Sequence, residues 1–476
     1  MSDPVIDAVV PELERHIAQV VADQRVVGLS IGIVRDQQLA WTAGFGHADF
    51  EDQRPPDART LFRFDSNTKP VTGMAIMQLR DEGRLGLDDR LVDYIPEFAG
   101  VQQIAGSVED VTLRRLLTHR SGLSGEVPGT WHATGIGPTI QEVLAQIGTC
   151  GIVIPPDSQH KYCNLGFVLL GEVVSRLSNR PYADYVREAV LEPLGMLDST
   201  FDPDSSEIRR ATQHAWSPTS SRPGPARDLV FNDRLAAGGL HSTVQDMAKW
   251  ISLQFRRDRA LPRGGAQILS GASLREMQQP QYADDDWTEG WCIAFGAVRR
   301  GNHVYLGHGG GNPGSLSRTA FHLGSNTGVV VVTNSDGHTA QGDVALETLD
   351  RLVAAHEAQP APLPASPAPP PEWAARIIGS YASTAGETGY GGPRRIAWLN
   401  DALTLLPPGV DLPRTIAPAG GTPMPCHLDP TDDPLVLRAR DGRLAGELLH
   451  LRVNEAGDIV AYESIGLVFH RMGPRE

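Results

Sequence analysis

A serine and a lysine three positions apart stand directly before an apolar stretch of this chain. Ser66 is followed by Lys69, and residues 71–79 are apolar at most positions. Residues three apart lie one above the other on a helix, so the lysine amine can reach the serine hydroxyl. Burial lowers the pKa of a lysine amine, and a neutral amine can take a proton from serine. The spacing therefore predicts a buried helix that opens with a nucleophile, Ser66, and its base, Lys69.

Two other serines occur in sequences that imitate a catalytic motif. Ser158 and Lys161 form a second Ser-x-x-Lys, but they follow Pro-Pro-Asp, which is typical of a turn, and no apolar helix begins there. Ser30 lies in a Gly-x-Ser-x-Gly sequence, whose serine is a nucleophile only where a strand turns sharply into a helix. Residues 26–34 alternate in the manner of a strand, so Ser30 is predicted to be a sheet residue.

Two more segments with chemically useful side chains follow in the chain. Tyr162 and Asn164 precede a second apolar helical run, and His308, Gly309 and Gly310 follow a short strand. The chain thus presents a serine–lysine pair on a buried helix, then a Tyr-x-Asn, then a His-Gly-Gly at the end of a strand. The order and the spacing of the three segments match a known pattern.

These segments resemble the motifs of the serine β-lactamase and penicillin-binding-protein-like superfamily. The likeness is to its branch of class C β-lactamases, D-aminopeptidases, DD-carboxypeptidases and esterases, and it covers roughly residues 10–355. Residues 116–123 and 236–250 resemble two accessory segments of that family. The β-lactamases proper have Lys-Thr-Gly where this chain has His-Gly-Gly, and histidine at that place is familiar from D-peptidases and related hydrolases.

The resemblance implies acyl transfer through a covalent ester on Ser66, which attacks an amide or ester carbonyl. Lys69 and Tyr162 would share the work of the general base, and Tyr162 would return the proton to the leaving group. Asn164 would bond to Lys69 or to the substrate amide. Because the ordinary pKa of tyrosine is about 10, this role needs nearby positive charge, which we expect from Lys69 and His308.

The resemblance also implies how substrate is held. His308, Gly309 and Gly310 would contact it, and the backbone N–H groups of Ser66 and Gly311 would form the oxyanion hole. Three functions stay open. Transfer to water gives a peptidase or amidase, including one for D-amino-acid-containing peptides, or a carboxylesterase. Transfer to an amine gives a transpeptidase or a peptide cyclase of the penicillin-binding-type thioesterase kind, and the third function is non-catalytic binding or assembly on the same fold.

Composition excludes several classes of protein. The 476 residues carry a net charge of −15, which disfavours nucleic acid and anionic membrane partners. The sequence shows no signal peptide and no run of 18 apolar residues, so we expect a cytoplasmic protein. The expected partner is a small-molecule or short-peptide substrate, and a homo-oligomer is possible. The four cysteines have no metal spacing; we predict free thiols, no metal and no cofactor, with Cys163 as a packing residue.

The pattern of elements predicts an α+β fold in two domains. Early and late strands around a helical middle indicate a β-lactamase/transpeptidase-like sandwich, an antiparallel sheet flanked by helices, over residues 1–358. Residues 359–372 are rich in proline and are predicted to be a stiff linker. Seven short strands over residues 373–476 indicate a small C-terminal β-barrel, which resembles the lipocalin-like domain of two-domain relatives.

Overall fold

The computed structural model describes residues 3–51, 53–129, 131–205, 209–216, 222–227, 229–257, 266–357, 370–383, 394–399, 402–406, 426–440, 444–464 and 467–473. Its α-helices are α1 Pro4–Asp23, α2 Thr68–Asp81, α3 Leu91–Tyr94, α4 Leu113–Leu117, α5 Trp131–Thr134, α6 Ile140–Ala145, α7 Asn164–Ser178, α8 Tyr182–Val186, α9 Leu235–Gly238, α10 Val244–Gln254, α11 Gly271–Gln278, α12 Ala340–His356 and α13 Glu372–Ala375. Among these described helices, none is both long enough and apolar enough to cross a bilayer.

The strands of the first part of the chain are β1 Gly28–Arg35, β2 Gln38–Gly46, β3 Phe62–Arg63, β4 Gln102–Gln103, β5 Gly151–Ile152, β6 His214–Trp216, β7 Pro223–Pro225, β8 His241–Ser242, β9 Tyr282–Ala283, β10 Glu289–Trp291, β11 Gly296–Arg300, β12 His303–Asn312, β13 Ser315–His322 and β14 Thr327–Thr333. The remaining strands are β15 Gly379–Ser383, β16 Arg394–Leu399, β17 Ala402–Leu406, β18 Cys426–Pro430, β19 Val436–Ala439, β20 Leu448–Val453, β21 Ile459–Ser464 and β22 Leu467–Arg471.

An antiparallel sheet of eight strands organises the larger unit, in the order β2-β1-β14-β13-β12-β11-β10-β9. β1 pairs with β2 on one side and with β14 on the other, so strands from the two ends of the unit meet inside one sheet. Helices cover both faces. The predicted α+β sandwich, built from early and late strands around a helical middle, is therefore confirmed, and Ser30 lies in β1 as predicted.

Strand β14 shows why its sequence is apolar without alternation. Val329 and Val331 pack in a core with α1 and α12, whereas Val330 and Val332 belong to the core on the opposite face. Side chains alternate between the two faces of a strand, so a strand covered on both faces needs apolar residues at every position.

Helix α2 lies in the core of the helical half of the unit. Its residues are apolar on nearly all sides and are buried almost throughout. A Cβ atom at Gly73 would lie 2.7 Å from the Cβ of Ala294, so the glycine permits the close approach of the segment after β10. Tight packing on all sides holds the start of α2, and with it Ser66, in one position.

The C-terminal strands form a closed barrel in which each strand pairs with its neighbour in sequence and β15 pairs with β22. The prediction of a barrel is confirmed, but the barrel has eight strands rather than seven. The missed strand, β18, buries only Cys426 and Leu428, which is too little alternation to identify from sequence. Residues 358–369, most of the predicted linker, lie outside the described residues, and α13 begins at Glu372.

Candidate active site

Ser66 lies in a single 3-10 turn, Asp65–Asn67, that leads directly into α2. Ser66 is buried with 8% of its surface exposed, and Lys69 is fully buried. Lys69 Nζ lies 3.0 Å from Ser66 Oγ, as the three-residue spacing predicts. The first N–H groups of a helix have no partner within it, so the positive end of the α2 dipole faces the serine.

The other partners of Lys69 favour a role as a base. Lys69 Nζ donates to Asn164 Oδ1 at 2.7 Å and to the carbonyl oxygen of Ala237 at 2.6 Å. These two oxygens can only accept, whereas the hydroxyl of Ser66 can accept or donate. A neutral amine has two N–H groups and one lone pair. It can therefore bond to both oxygens and still accept the hydrogen of Ser66.

A carboxylate fixes the orientation of the Asn164 amide. Asn164 Nδ2 donates to Glu126 Oε1 at 2.6 Å, so the amide oxygen must face Lys69. The second oxygen of Glu126 lies 3.4 Å from Arg234 Nη2, and that guanidinium stacks over Trp131 at 3.5 Å. Glu126 is not among the site residues predicted from the sequence. Its only signal is its place three residues after the accessory segment 116–123.

Tyr162 lies beside the serine and the lysine. Lys69 Nζ is 4.8 Å from the centroid of its ring. Its hydroxyl is buried and makes no regular hydrogen bond with any described residue, although the Ser66 hydroxyl is close enough to affect it. Burial raises the pKa of Tyr162 far above its usual value, and the interaction with Ser66 opposes only part of that rise. The expectation that positive charge lowers this pKa is wrong, because burial dominates and the nearby acidic groups, Glu126 and Asp65 among them, raise the pKa of Tyr162 further.

His308 does not supply that positive charge. The side chain is fully buried, and burial together with the Lys69 ammonium holds the pKa of His308 well below 6.5, so the ring is neutral at neutral pH. His308 Nδ1 lies 2.6 Å from the carbonyl oxygen of Gly309, which assigns the ring hydrogen to Nδ1. His308 Nε2 is buried and has no hydrogen-bond partner among the described residues. Its ring centroid lies 6.2 Å from that of Tyr162.

Strand β12 passes directly beside the turn that carries Ser66. A Cβ atom at Gly310 would lie 2.1 Å from the carbonyl oxygen of Phe64, so no residue except glycine fits there. Gly311, the next residue, pairs with Leu316 of β13. Strand β12 thus meets the turn that carries the serine at Gly310, and Gly311, a predicted contributor to the oxyanion hole, is the next residue of that strand.

The side chains on either side of Ser66 tie its turn to the sheet. Asp65 has a positive φ of 50° and is fully buried. It accepts hydrogen bonds from Arg63 Nε at 2.9 Å, Asn312 Nδ2 at 2.6 Å and Ser315 Oγ at 2.6 Å. Burial raises the pKa of Asp65, and the charge of Arg63 opposes this rise.

Asn67 makes the matching contact on the other side of the serine. Its Nδ2 atom donates to Ser317 Oγ at 2.9 Å, and its Oδ1 atom accepts from Thr319 Oγ1 at 2.7 Å. Asp65 and Asn67 are not among the predicted site residues, although two polar residues on either side of a buried serine can be recognised in the sequence.

The two accessory segments have identifiable structural tasks. In the first, the carbonyl oxygen of His119 accepts from the backbone N–H of Lys161 at 2.8 Å, and its Nδ1 accepts from that of Cys163 at 3.1 Å. The ring of His119 also lies 4.2 Å from that of Tyr162. In the second, Ala237 supplies the carbonyl oxygen that Lys69 binds. Both segments therefore position catalytic candidates.

The remaining candidates of the sequence analysis lie elsewhere. Among the residues that the structure describes, the Ser158 hydroxyl bonds within its own turn, to the carbonyl oxygen of Pro155, and Ser30 donates to the carbonyl oxygen of Asp57. Cys163 caps α7, where its sulfur accepts from the backbone N–H of Gly166, and burial raises the pKa of its thiol to about 12. It is thus a cap as well as a packing residue. Within the described ranges, no three His, Cys, Asp or Glu side chains are grouped to hold a metal ion.

Comparison with known proteins agrees with this geometry. The sequence profile described as Beta-lactamase matches residues 13–354. The chain is 27% identical over 285 residues to Beta-lactamase-like protein 2 of Dictyostelium discoideum. The aligned region covers 59% of this chain and 50% of that protein, so this chain spans half of that relative's length. It is also 27% identical over 339 residues to the D-alanyl-D-alanine-carboxypeptidase/endopeptidase AmpH of Escherichia coli K12, which covers 68% of this chain and 83% of AmpH.

Among solved structures, the octameric penicillin-binding protein homologue from Pyrococcus abyssi has the same fold. The TM-score is 0.63 at 22% identity, over 97% of this chain and 99% of the other. The profile match covers well over half of the chain. This protein therefore belongs to the β-lactamase family, and its relatives in that family are serine hydrolases.

Proposed function

We propose that this protein is a serine hydrolase that forms an acyl-enzyme on Ser66 and cleaves an amide or ester bond. The observation that carries the proposal is the position of Lys69 Nζ, 3.0 Å from Ser66 Oγ and bonded to two further oxygens that can only accept. An ammonium so placed can lose one proton without losing either of these bonds. A lysine of this kind activates a serine hydroxyl, which is a weak nucleophile on its own.

In the first step, Ser66 Oγ attacks the carbonyl carbon while Lys69 takes its proton. The backbone N–H groups of Ser66 and Gly311 bind the oxygen that becomes negative, and loss of one such donor typically costs about 10²–10³ in rate. The tetrahedral adduct then collapses, the bond to the leaving group breaks, and the acyl group remains on Ser66. Water attacks the ester in the second step and releases the acid.

We assign Tyr162 the role of proton donor to the leaving group. A buried phenol whose pKa is raised stays neutral and keeps its proton until a strongly basic atom faces it. The nitrogen that leaves an amide is such an atom. Tyr162 then regains a proton from the Lys69 ammonium, which holds the one taken from Ser66. This division gives Lys69 the base role alone.

His308, Gly309 and Gly310 would bind the substrate. The neutral ring of His308 lies beside Tyr162, and its unprotonated Nε2 has no hydrogen-bond partner among the described residues, so it could accept a hydrogen bond from an N–H group of a substrate. A lysine in the same place could only donate. The site therefore favours a peptide or amide with an N–H group over an anionic ligand that needs a cationic side chain.

For the substrate class we propose amides and short peptides that contain D-amino acids, with esters as simpler substrates. The name of AmpH, a D-alanyl-D-alanine carboxypeptidase and endopeptidase, supports this choice, as does the histidine of the third motif. Water is the acceptor in this scheme. An amine acceptor, which would make the protein a transpeptidase or peptide cyclase, uses the same first step. Assembly of several copies is proposed from the octameric relative alone.

The test is covalent labelling followed by a substrate panel. The purified protein is incubated with a fluorophosphonate or a penicillin, and intact-mass spectrometry measures whether one adduct forms on Ser66. Matched D- and L-amino acid p-nitroanilides and p-nitrophenyl esters are then assayed, with and without an added amine acceptor. Hydrolysis of the D-anilides supports the proposal, and a product joined to the amine favours acyl transfer.

Two variants serve as controls. Ser66→Ala should abolish both labelling and turnover, whereas Ser158→Ala, in the second Ser-x-x-Lys sequence, should leave both unchanged because its hydroxyl bonds only within a turn. A wild-type protein that neither forms an adduct nor turns over any substrate in the panel would instead support a non-catalytic binding role.

A further inference from the structure

Lys161, the lysine of the second Ser-x-x-Lys sequence, is buried at the contact between the larger unit and the barrel. Its side chain is 1% exposed. Its described polar partners both belong to the barrel: Nζ donates to the carbonyl oxygen of Ala445 at 3.3 Å and lies 3.7 Å from Glu447 Oε1. A buried ammonium is costly unless it is paired. Lys161 is therefore compensated by a segment that lies 284 residues further along the chain.

The segment that receives Lys161 fits closely against the larger unit. We call residues 444–447, which lie between β19 and β20, the docking turn. Ala445 is fully buried, and Gly446 has a φ of +82°. A Cβ atom at Gly446 would lie 3.0 Å from Cγ2 of Ile154, so glycine meets both the backbone and the space requirement. The contact between the docking turn and the larger unit thus includes close packing as well as the ion pair of Lys161.

Lys161 is also the residue directly before Tyr162. Its backbone N–H donates to the carbonyl oxygen of His119, and the N–H of Cys163 donates to the ring of the same histidine. The backbone on both sides of the tyrosine is therefore anchored to one residue of the larger unit. The Lys161 side chain adds a third anchor, and that anchor belongs to the barrel.

We propose that Lys161 is a positioning residue through which docking of the barrel holds Tyr162 in place to protonate the leaving group. The inference deepens the function proposed above and rests on it. Lys161 itself touches no reacting atom. Its contact with Ala445 and Glu447 limits the movement of the segment that carries the tyrosine, and displacement of a catalytic group by about 1 Å can cost about 10²-fold in rate.

Substrates with different leaving groups distinguish a loss of Tyr162 positioning from a general structural effect of the substitution. A p-nitroanilide needs a proton on its nitrogen as the C–N bond breaks, whereas p-nitrophenolate leaves without one. The full-length Lys161→Met and Glu447→Gln variants are assayed on the anilide and the ester of the same D-amino acid. We expect the anilide-to-ester ratio of kcat to fall about 10- to 100-fold in Lys161→Met. The fall in Glu447→Gln should be smaller, because that carboxylate is partly exposed.

Two controls complete the design. Lys161→Arg keeps the charge and should bring the ratio back toward the wild-type value. Glu463→Gln removes a barrel carboxylate whose partner, Arg452, lies in the barrel itself, and it should leave the ratio unchanged.

The outcomes distinguish the two proposals. An unchanged anilide-to-ester ratio in Glu447→Gln, and in Lys161→Met if that variant folds, would overturn the positioning role while leaving the acyl-enzyme intact. Because Glu447→Gln alters only the barrel side, it answers the question even where Lys161→Met fails to fold. A wild-type protein without fluorophosphonate labelling would overturn the proposed function, and this inference with it.

Discussion

Replacement of Tyr162 by phenylalanine should separate activity from stability. The hydroxyl is buried and has no regular hydrogen-bond partner in the described structure. A buried polar group without a partner costs about 1–3 kcal/mol of stability, and its removal returns up to that amount. In its proposed role as the proton donor, the same hydroxyl contributes about 10²–10⁴ to the rate, which corresponds to about 3–5 kcal/mol of the activation barrier for amide cleavage. Tyr162→Phe should therefore be inactive on anilides and at least as stable as the wild type.

A second buried tyrosine provides a matched control. The hydroxyl of Tyr182 lies 2.8 Å from Thr72 Oγ1, on α2 one helical turn beyond Lys69. Tyr182→Phe removes the same atom from a site where it is hydrogen-bonded, at an expected cost of about 0.5–1.5 kcal/mol. It should leave kcat unchanged. The two variants are thus expected to shift stability in opposite directions, and only one of them should lose activity.

The assay combines urea unfolding with steady-state kinetics on a D-amino acid p-nitroanilide at pH 7.5. Circular dichroism verifies that each variant keeps its fold. A Tyr162→Phe protein with a kcat within a few-fold of wild type would refute the role of the phenol as proton donor. A Tyr162→Phe protein less stable than Tyr182→Phe would show that the hydroxyl is a structural donor, and the argument from its missing partner would fail.

Three further predictions concern neighbouring groups. Glu126→Gln should lower kcat by about 10- to 100-fold, because a hydrogen bond to a charged group is worth about 1.5–3 kcal/mol and this one orients Asn164; steady-state kinetics checks it. Gly310→Ala should slow fluorophosphonate labelling at least tenfold, since a Cβ atom there would displace Phe64 and the serine turn beside it; a time course followed by mass spectrometry checks it. His308 is neutral when folded but gains a proton below pH 6.5 when unfolded, so stability is lost as the pH falls. Between pH 7.5 and 5.5, the wild type should lose about 1.4 kcal/mol more unfolding free energy than His308→Asn, as urea titrations at both values can measure.

Much of the arrangement follows from local sequence. The three-residue spacing of Ser66 and Lys69 determines their contact wherever a helix forms, and the apolar run after them predicts that helix. The strands β1, β2 and β14 have strong apolar patterns, so their existence is predictable. Chain order and motif spacing then identify the fold, and the sheet of early and late strands follows from it.

The features of the site that the sequence does not predict depend on the tertiary structure. The pKa of Tyr162 was expected to fall because two cations were assigned to its surroundings. Burial of the ring and neutrality of His308 reverse the direction, and neither is visible in a linear sequence. Glu126 and Asp65 act through partners about 38 and 250 residues away, so no local pattern identifies them. The role of Lys161 depends on a barrel that sequence could predict but not place.

The ties between Asp65 and Ser315 and between Asn67 and Ser317 have a consequence for the order of folding. Each joins residues about 250 positions apart in the chain. Contacts of such long separation form late, because the intervening chain must first be organised. During synthesis, Ser66 can therefore reach its final geometry only after β13 has left the ribosome and joined the sheet. Until then Ser66 lacks the geometry proposed for the nucleophile, so we expect covalent labelling to recover slowly after refolding.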